Sequence, residues 1–285
     1  MRGQDRRQVI ADAAIRLASH GVPSPEHDAA ELLAHVLGTT RPGLVLHDRI
    51  SAADAATFTA LVARRSAREP LQHLTGVAHF RHVELAVGPG VFVPRPETEL
   101  LAGWAIDEAR IIEHRNRTCR VVDLGTGSGA IAKAVKDEVP SSDVHAVELD
   151  EQAHAWAARN LAGTGVDLRL GDLAGAFDDL LGTVDVVVCN PPYIPLEEWE
   201  SVAPEARDHD PAAALWSGAD GLDAIRALER RAAVLLRAGG VLGAEHADVQ
   251  GVAAPSVFST SGRWVEVRDH RDLADRPRFL TARRL

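Results

Sequence analysis

Cysteine is scarce in this 285-residue chain: there are two, Cys119 and Cys189, and they form no pair of metal-ligand spacing. That excludes a disulfide framework and a zinc site of ordinary pattern, and a reducing, cytoplasmic compartment is expected. Long apolar runs are missing too. The segment MRGQDRRQVIADAAIRLASHG at the start carries charges without a continuous apolar core, and no stretch approaches the length needed to cross a bilayer. Neither a cleaved leader nor a membrane partner is therefore expected. Basic residues are outnumbered, giving a formal net charge of -10. Gripping a phosphate backbone relies on clustered lysine and arginine, so stable nucleic-acid binding is not expected either. Internal repeats and low-complexity segments are absent.

What is present is ordinary globular composition, 46% hydrophobic and 25% charged, over a length that suggests one large domain and one small one. Residues 1–75 read as helical. One amphipathic stretch runs over Val9, Ala13, Ile15 and Leu17; a second opens at Ser24-Pro25 and stops at Gly38; a third starts at Ser51 and ends before Pro70. From Val77 to Val93 the period falls to about two around Gly88-Pro89-Gly90, which reads as a hairpin and sets residues 76–95 as a linker. Beyond it, in 96–285, short β-branched runs at Val121–Leu124, Val144–Val147, Leu168–Leu170, Val184–Cys189 and Val241–Ala244 alternate with helices such as Glu151–Leu161 and Leu222–Leu236. Such alternation implies an α/β, doubly wound, Rossmann-like sheet with its ligand site at the carboxyl ends of the strands.

The first chemical motif closes the first of those strands: Asp123-Leu124-Gly125-Thr126-Gly127-Ser128-Gly129. Alternate glycines let the backbone turn sharply and approach a ligand closely. The spacing is neither the G-x-G-x-x-G of dinucleotide folds nor a P-loop, so pyrophosphate is not the expected ligand. Glu148 ends the second strand, where a carboxylate can accept from ribose hydroxyls. At the end of the third, Asp172 can meet the exocyclic amine of adenine while Leu173 covers the ring. Singly, each acid reads more readily as a helix cap or a solvated charge; the ordered series Asp123, Glu148, Asp172 points to a nucleoside.

Asn190-Pro191-Pro192-Tyr193 follows the fourth strand. Two prolines remove two N–H donors, so Pro191 presents an unpaired carbonyl, and Asn190 adds a side-chain carbonyl beside it. An amide or aromatic amine is a poor nucleophile because its lone pair is delocalised. Two acceptors aimed at its N–H bonds orient that nitrogen towards an electrophile, and Tyr193 offers a ring for a planar group to lie against. The bland alternative is a proline turn with a packed tyrosine. The thirteen histidines show no catalytic arrangement, and Cys189 reads as a buried strand residue.

Together these motifs resemble class I methyltransferases of the amino-methylating type. Longer segments make the chain similar to the peptide chain release factor glutamine methyltransferases, the PrmC/HemK family: Arg68 to Gly76, Pro89-Gly90-Val91-Phe92-Val93-Pro94-Arg95-Pro96-Glu97-Thr98-Glu99, Asp210 to Leu215 and Gly218 to Asp223. The resemblance implies transfer of the methyl group of S-adenosyl-L-methionine to the side-chain amide nitrogen of the glutamine in the Gly-Gly-Gln motif of class 1 release factors. It implies that Gly125, Thr126, Gly127, Ser128 and Gly129 border the methionine moiety, that Glu148 meets the ribose and Asp172 and Leu173 the adenine, and that Asn190, Pro191, Pro192 and Tyr193 meet the substrate glutamine, with Asn190 also beside the cofactor. It assigns the helical domain to engaging the release factor.

Two segments depart from the family pattern, Glu245-His246-Ala247 with Gln250 and Asp272-Leu273-Ala274-Asp275-Arg276, and neither is expected to touch the chemistry. The expected reaction is in-line displacement without a dedicated general base. Rivals are a ribosomal-protein glutamine methyltransferase, disfavoured by Pro94-Arg95-Pro96 and Ile194-Pro195; a DNA adenine N6-methyltransferase, which needs a basic recognition region this chain lacks; and a binding protein on an inactive methyltransferase fold.

Overall fold

The computed structural model describes residues 3–115 and 117–285, so Met1, Arg2 and Asn116 of the expected domains lie outside the described residues. Two compact units result: Met1–Val77 with Ala203–His209, and Ala78–Val202 with Asp210–Leu285.

The smaller unit opens with the two-residue strands β1 (Gln4–Asp5) and β2 (Arg49–Ile50), which pair antiparallel. Its helices are α1 (Arg6–Ser19), α2 (Pro25–Val36), α3 (Ala52–Ser66) and α4 (Leu71–Thr75). Local chemistry sets their ends. Asp5 accepts from Gln8 N to cap α1, proline opens α2, and Ser51 accepts from Asp54 N to cap α3. Leu17, Leu32, Leu33 and Phe58 fill the core between them. The short helix α8 (Pro204–His209), distant in sequence, belongs here: Glu205 accepts from Arg65 Nη2 at 2.9 Å and from Arg68 Nε and Nη2 at 2.7 and 2.6 Å. Arg65 also donates to Asp28 at 2.7 Å, so its buried charge is matched on two sides.

The larger unit contains β3 (Val77–Phe80, bar its first residue) and β4 (Val83–Ala86) as a hairpin, and then α5 (Thr98–Glu113), β5 (Arg120–Leu124), α6 (Ala130–Glu138), β6 (Asp143–Glu148), α7 (Glu151–Leu161), β7 (Asp167–Leu170), β8 (Val184–Cys189), α9 (Asp223–Leu235), β9 (Leu236–Glu245), α10 (Ala253–Ser259), β10 (Trp264–Arg271) and β11 (Pro277–Arg284). The seven-stranded sheet has the order β10-β11-β9-β8-β5-β6-β7, parallel from β9 to β7 and antiparallel at β11 and β10. From β5 the chain winds outward to β6 and β7, then returns to β8 and β9 on the other side. The topological switch point therefore lies between β5 and β8, where an open α/β sheet places its ligand. Alternate residues of the strands serve opposite cores. Val121, Val186 and Val188 pack under α5, α6 and α7, while Val122, Leu124, Val187 and Cys189 pack against α9 and α10.

Three features differ from the sequence reading. The hairpin turns at Arg81-His82, with Arg81 at φ 52° and its guanidinium bonded to Glu138, not at Gly88-Pro89-Gly90. The glycine-proline segment instead runs along α7, where Trp156 Nε1 donates to Pro89 O at 3.2 Å. From Ala78 onward the segment expected as a linker is part of the larger unit's core, because Ala78, Phe80, Leu85, Val87 and Val91 are buried in it. The antiparallel pair β10–β11 has no clear sequence signal, since a bulge after Val265, with Glu266 at φ 54°, interrupts the alternation of Trp264–Arg271.

Candidate active site

The loop after β5 carries Gly125, Gly127 and Gly129 at φ 76°, 57° and 83°, backbone that side-chain-bearing residues rarely adopt. A Cβ at Gly125 or Gly127 would meet no atom within 4 Å, so both face open space. The loop is tied to the neighbouring strand end: Gly125 N and Thr126 N donate to Val147 O at 3.0 and 2.9 Å. Asn160 of α7 braces it from beneath, donating to Ser128 O at 2.8 Å and to Ala86 O at 2.9 Å.

Glu148 lies beside this loop. Its Oε2 accepts from Gly127 N at 2.7 Å, and Oε1 accepts from Leu149 N and Asp150 N at 2.8 and 2.9 Å. Three backbone donors hold the carboxylate in one orientation with acceptor capacity to spare. Helix capping falls to the next acid, Asp150, which accepts from Gln152 N and Ala153 N. Asp123 is buried under the loop; its Oδ2 accepts from Thr126 Oγ1 at 2.6 Å and Ala132 N at 3.2 Å, while Oδ1 has no partner among the described residues. Burial pushes its carboxyl up to about 7 against those bonds. At the end of β7, Gly171 N donates to Glu148 O at 2.8 Å, bringing Asp172 to the same rim. Asp172 is exposed and accepts from Ala174 N at 2.8 Å, while Leu173 packs against the second core.

After β8, Asn190 is half-buried and donates through Nδ2 to Thr98 Oγ1 at 3.2 Å. Thr98 donates its own hydrogen to Glu245 Oε2 at 2.7 Å, and Tyr193 donates through its hydroxyl to Glu245 Oε1 at 3.2 Å. Burial drives the Glu245 carboxyl up to about 7, opposed by the Thr98 bond and the charge of Arg278. The Tyr193 hydroxyl is likewise pushed up, by burial first and then by the Glu245 charge. Cys189 is fully buried and its thiol lies well above the ordinary range, so it supplies no thiolate.

Here the sequence reading needs correction. The segment Glu245–Gln250 does touch the site: Glu245 holds Thr98 and Tyr193, and Gln250 Nε2 donates to Tyr193 O at 3.0 Å and Gly221 O at 3.3 Å. Gly221, at φ 72°, is also a packing requirement, because a Cβ there would collide with Tyr193 O and come within 2.7 Å of Gln250 Nε2. The loop beyond is fixed by Ile194 N to Leu215 O at 2.9 Å and Ser217 N to Ile194 O at 3.0 Å. Thr98 and Asn160 were also missed as functional supports. Thr98 lies in the Pro-Arg-Pro-Glu-Thr-Glu run, but nothing in one sequence pairs a hydroxyl with an acid 147 residues away.

Residues 8–76 match the model of the PrmC N-terminal domain and residues 109–204 that of the methyltransferase small domain. A Streptomyces coelicolor protein named release factor glutamine methyltransferase is 58% identical over 275 residues, covering 96% of each chain. A Streptomyces pristinaespiralis protein named 4-amino-L-phenylalanine/4-methylamino-L-phenylalanine methyltransferase is 45% identical over 208 residues, 73% of this chain and 71% of that one. Among solved structures, the hMettl16 catalytic domain in complex with the MAT2A 3'UTR hairpin 6 superposes with a TM-score of 0.56 at 13% identity, over 88% of this chain and 91% of that one, a likeness of fold.

Proposed function

Since the chain belongs to the release factor glutamine methyltransferase family, we propose that Asn190 and Pro191 hold the substrate glutamine amide by its two N–H bonds, with Tyr193 against its plane. The reaction is methylation of a release-factor glutamine side chain with S-adenosyl-L-methionine as methyl donor. When bound, that cofactor supplies a methyl group on a positively charged sulfur, open to displacement by an incoming nitrogen.

The residues present fit it. Asp123 keeps one buried carboxylate oxygen unpaired, Gly125 and Gly127 leave open space above the switch point, and Glu148 stands pre-oriented for ribose hydroxyls. Gly125 to Gly129 would border its methionine part, and Asp172 and Leu173 its adenine.

The observation that carries the amide reading is the hydrogen bond from Asn190 Nδ2 to Thr98. With the amino edge engaged, Oδ1 is left as the acceptor, and the Pro191 carbonyl follows in the chain. Two acceptors select a nitrogen bearing two hydrogens and turn its lone pair off the acceptor side. Orientation of this kind is worth ~7 to 11 kcal/mol of a barrier. The methylated amide, carrying an extra proton, is a strong acid and loses it to water or a nearby acceptor, so no general base is required.

The match of residues 8–76 to the PrmC N-terminal domain supports a protein substrate over a free amino acid. The substrate class is the class 1 release factors at their Gly-Gly-Gln glutamine, and the setting is the cytoplasm. Among the described residues no helix is long and apolar enough to cross a membrane. The test is incubation with isotopically labelled cofactor and purified release factor, followed by mapping of the methyl group by mass spectrometry. Label on the Gly-Gly-Gln glutamine is expected; label confined to another residue, or to free 4-amino-phenylalanine offered in competition, would overturn the assignment.

A further inference from the structure

We infer that Glu245, acting through Thr98, determines which edge of the Asn190 amide faces the substrate, and so makes Thr98 and Glu245 positioning residues for amide over carboxylate. This rests on the proposed role of Asn190.

An asparagine amide is nearly symmetric in shape, and its two edges differ only in donating or accepting. Packing alone therefore cannot fix its orientation. A directional chain of hydrogen bonds can, and one is present. An ionised carboxylate only accepts, so Glu245 takes the Thr98 hydrogen at Oε2 (2.7 Å) and the Tyr193 hydrogen at Oε1 (3.2 Å). Thr98 has one hydrogen and has spent it. Towards Asn190 its Oγ1 can only accept, and it does so from Nδ2 at 3.2 Å. The reversed amide would set Oδ1 against Oγ1 lone pairs, two acceptors face to face in a site where Thr98 and Glu245 are buried.

The consequence is selectivity. With Oδ1 outward, Asn190 welcomes the N–H of a glutamine amide and repels a glutamate carboxylate at the same place. With Nδ2 outward it would do the opposite. The charged groups that bear on Glu245 are Arg278 on β11 and Glu97 just before α5, with Thr98 and Tyr193 as its hydrogen-bond donors. Arg278 favours the ionised, accept-only form on which the directionality depends.

The test compares binding of two release factors, one carrying Gly-Gly-Gln and one with that glutamine replaced by glutamate, to the enzyme loaded with S-adenosylhomocysteine at about pH 8. It is joined with single-turnover methylation of the glutamine form. Thr98→Val is expected to narrow the preference for glutamine by ~10-fold or more and to slow methyl transfer by ~10- to 100-fold. Cofactor affinity should stay within about twofold, which also reports that the variant is folded. Thr98→Ser, which keeps the hydroxyl, should restore the preference, and Thr98→Ala should reproduce the valine result if valine is not accommodated. Equal weakening of both release factors with an unchanged ratio would overturn the inference, as would an unchanged rate. A parent enzyme that bound cofactor but left release factor unmethylated would instead remove the underlying reading, before any variant is compared.

Discussion

Glu148 and Glu245 are both carboxylates at the carboxyl ends of parallel strands, yet the sequence singles out only the first. The position of Glu148 at the end of the second strand of the sheet is itself the signal, and its bonds to Gly127, Leu149 and Asp150 are local or one strand away. Glu148→Ala removes the brace on Gly127 and, with it, the proposed ribose acceptor. Calorimetry should show cofactor binding weakened by ~1.5 to 3 kcal/mol or more, whereas unchanged affinity would remove Glu148 from the site. Glu245 gains its meaning from Thr98 and Tyr193, which reach it from distant segments, and the residues around it looked only like a departure from pattern. Its buried carboxyl also has a consequence for stability. The folded-state value is raised from 4.5 to about 7, so as pH climbs between those values the unfolded chain releases its proton first. Folding stability contributed by this group therefore falls as pH rises through that window and is level above it. The melting temperature of Glu245→Gln relative to the parent should thus improve from pH 4.5 to 7; a constant gap across that range would contradict the buried, raised carboxyl.

At the scale of elements, the loop of Asn190 to Tyr193 is held by contacts to its backbone that composition and periodicity do not announce. Gln250 bonds Tyr193 O and Gly221 O, and the left-handed Gly221 allows the two segments to touch. Gly221→Ala would strain a backbone at φ 72° and drive a methyl group into the Tyr193 carbonyl. Left-handed strain alone costs ~1 to 2 kcal/mol. Thermal melting should show a lower transition, and methyl transfer should fall by at least ~10-fold while cofactor affinity holds better. Full activity in that variant would mean the clamp on Tyr193 is dispensable. Most of the parallel strands and helices α7 and α9 were legible because β-branched runs and amphipathic helices obey simple periods, with Asp150 also capping α7. The hairpin turn was misplaced because Gly88-Pro89-Gly90 is a stronger turn signal than Arg81-His82, although the glycines are there to lie against α7: a Cβ at Gly88 would come within 2.7 Å of Trp156.

On the scale of the whole molecule, the winding of the larger unit determines where chemistry can occur. β5 and β8 are adjacent while their crossovers leave in opposite directions, so the glycine loop and Asn190 follow neighbouring carboxyl ends at the switch point. Residues 125–129, 148 and 190–193 could be grouped from the sequence because this topology follows from strand and helix alternation. The supports from Thr98, Asn160, Glu245 and Gln250 could not, since they depend on tertiary contact alone. The two-acceptor site at Asn190 and Pro191 is the centre of the functional reading, and single-turnover methylation of release factor by Asn190→Ala tests it most directly. Loss of one preorganised polar contact costs ~10²- to 10³-fold in comparable sites, and a loss of that order with cofactor affinity nearly unchanged is predicted. Methylation of the Gly-Gly-Gln glutamine within a few-fold of the parent rate would contradict it.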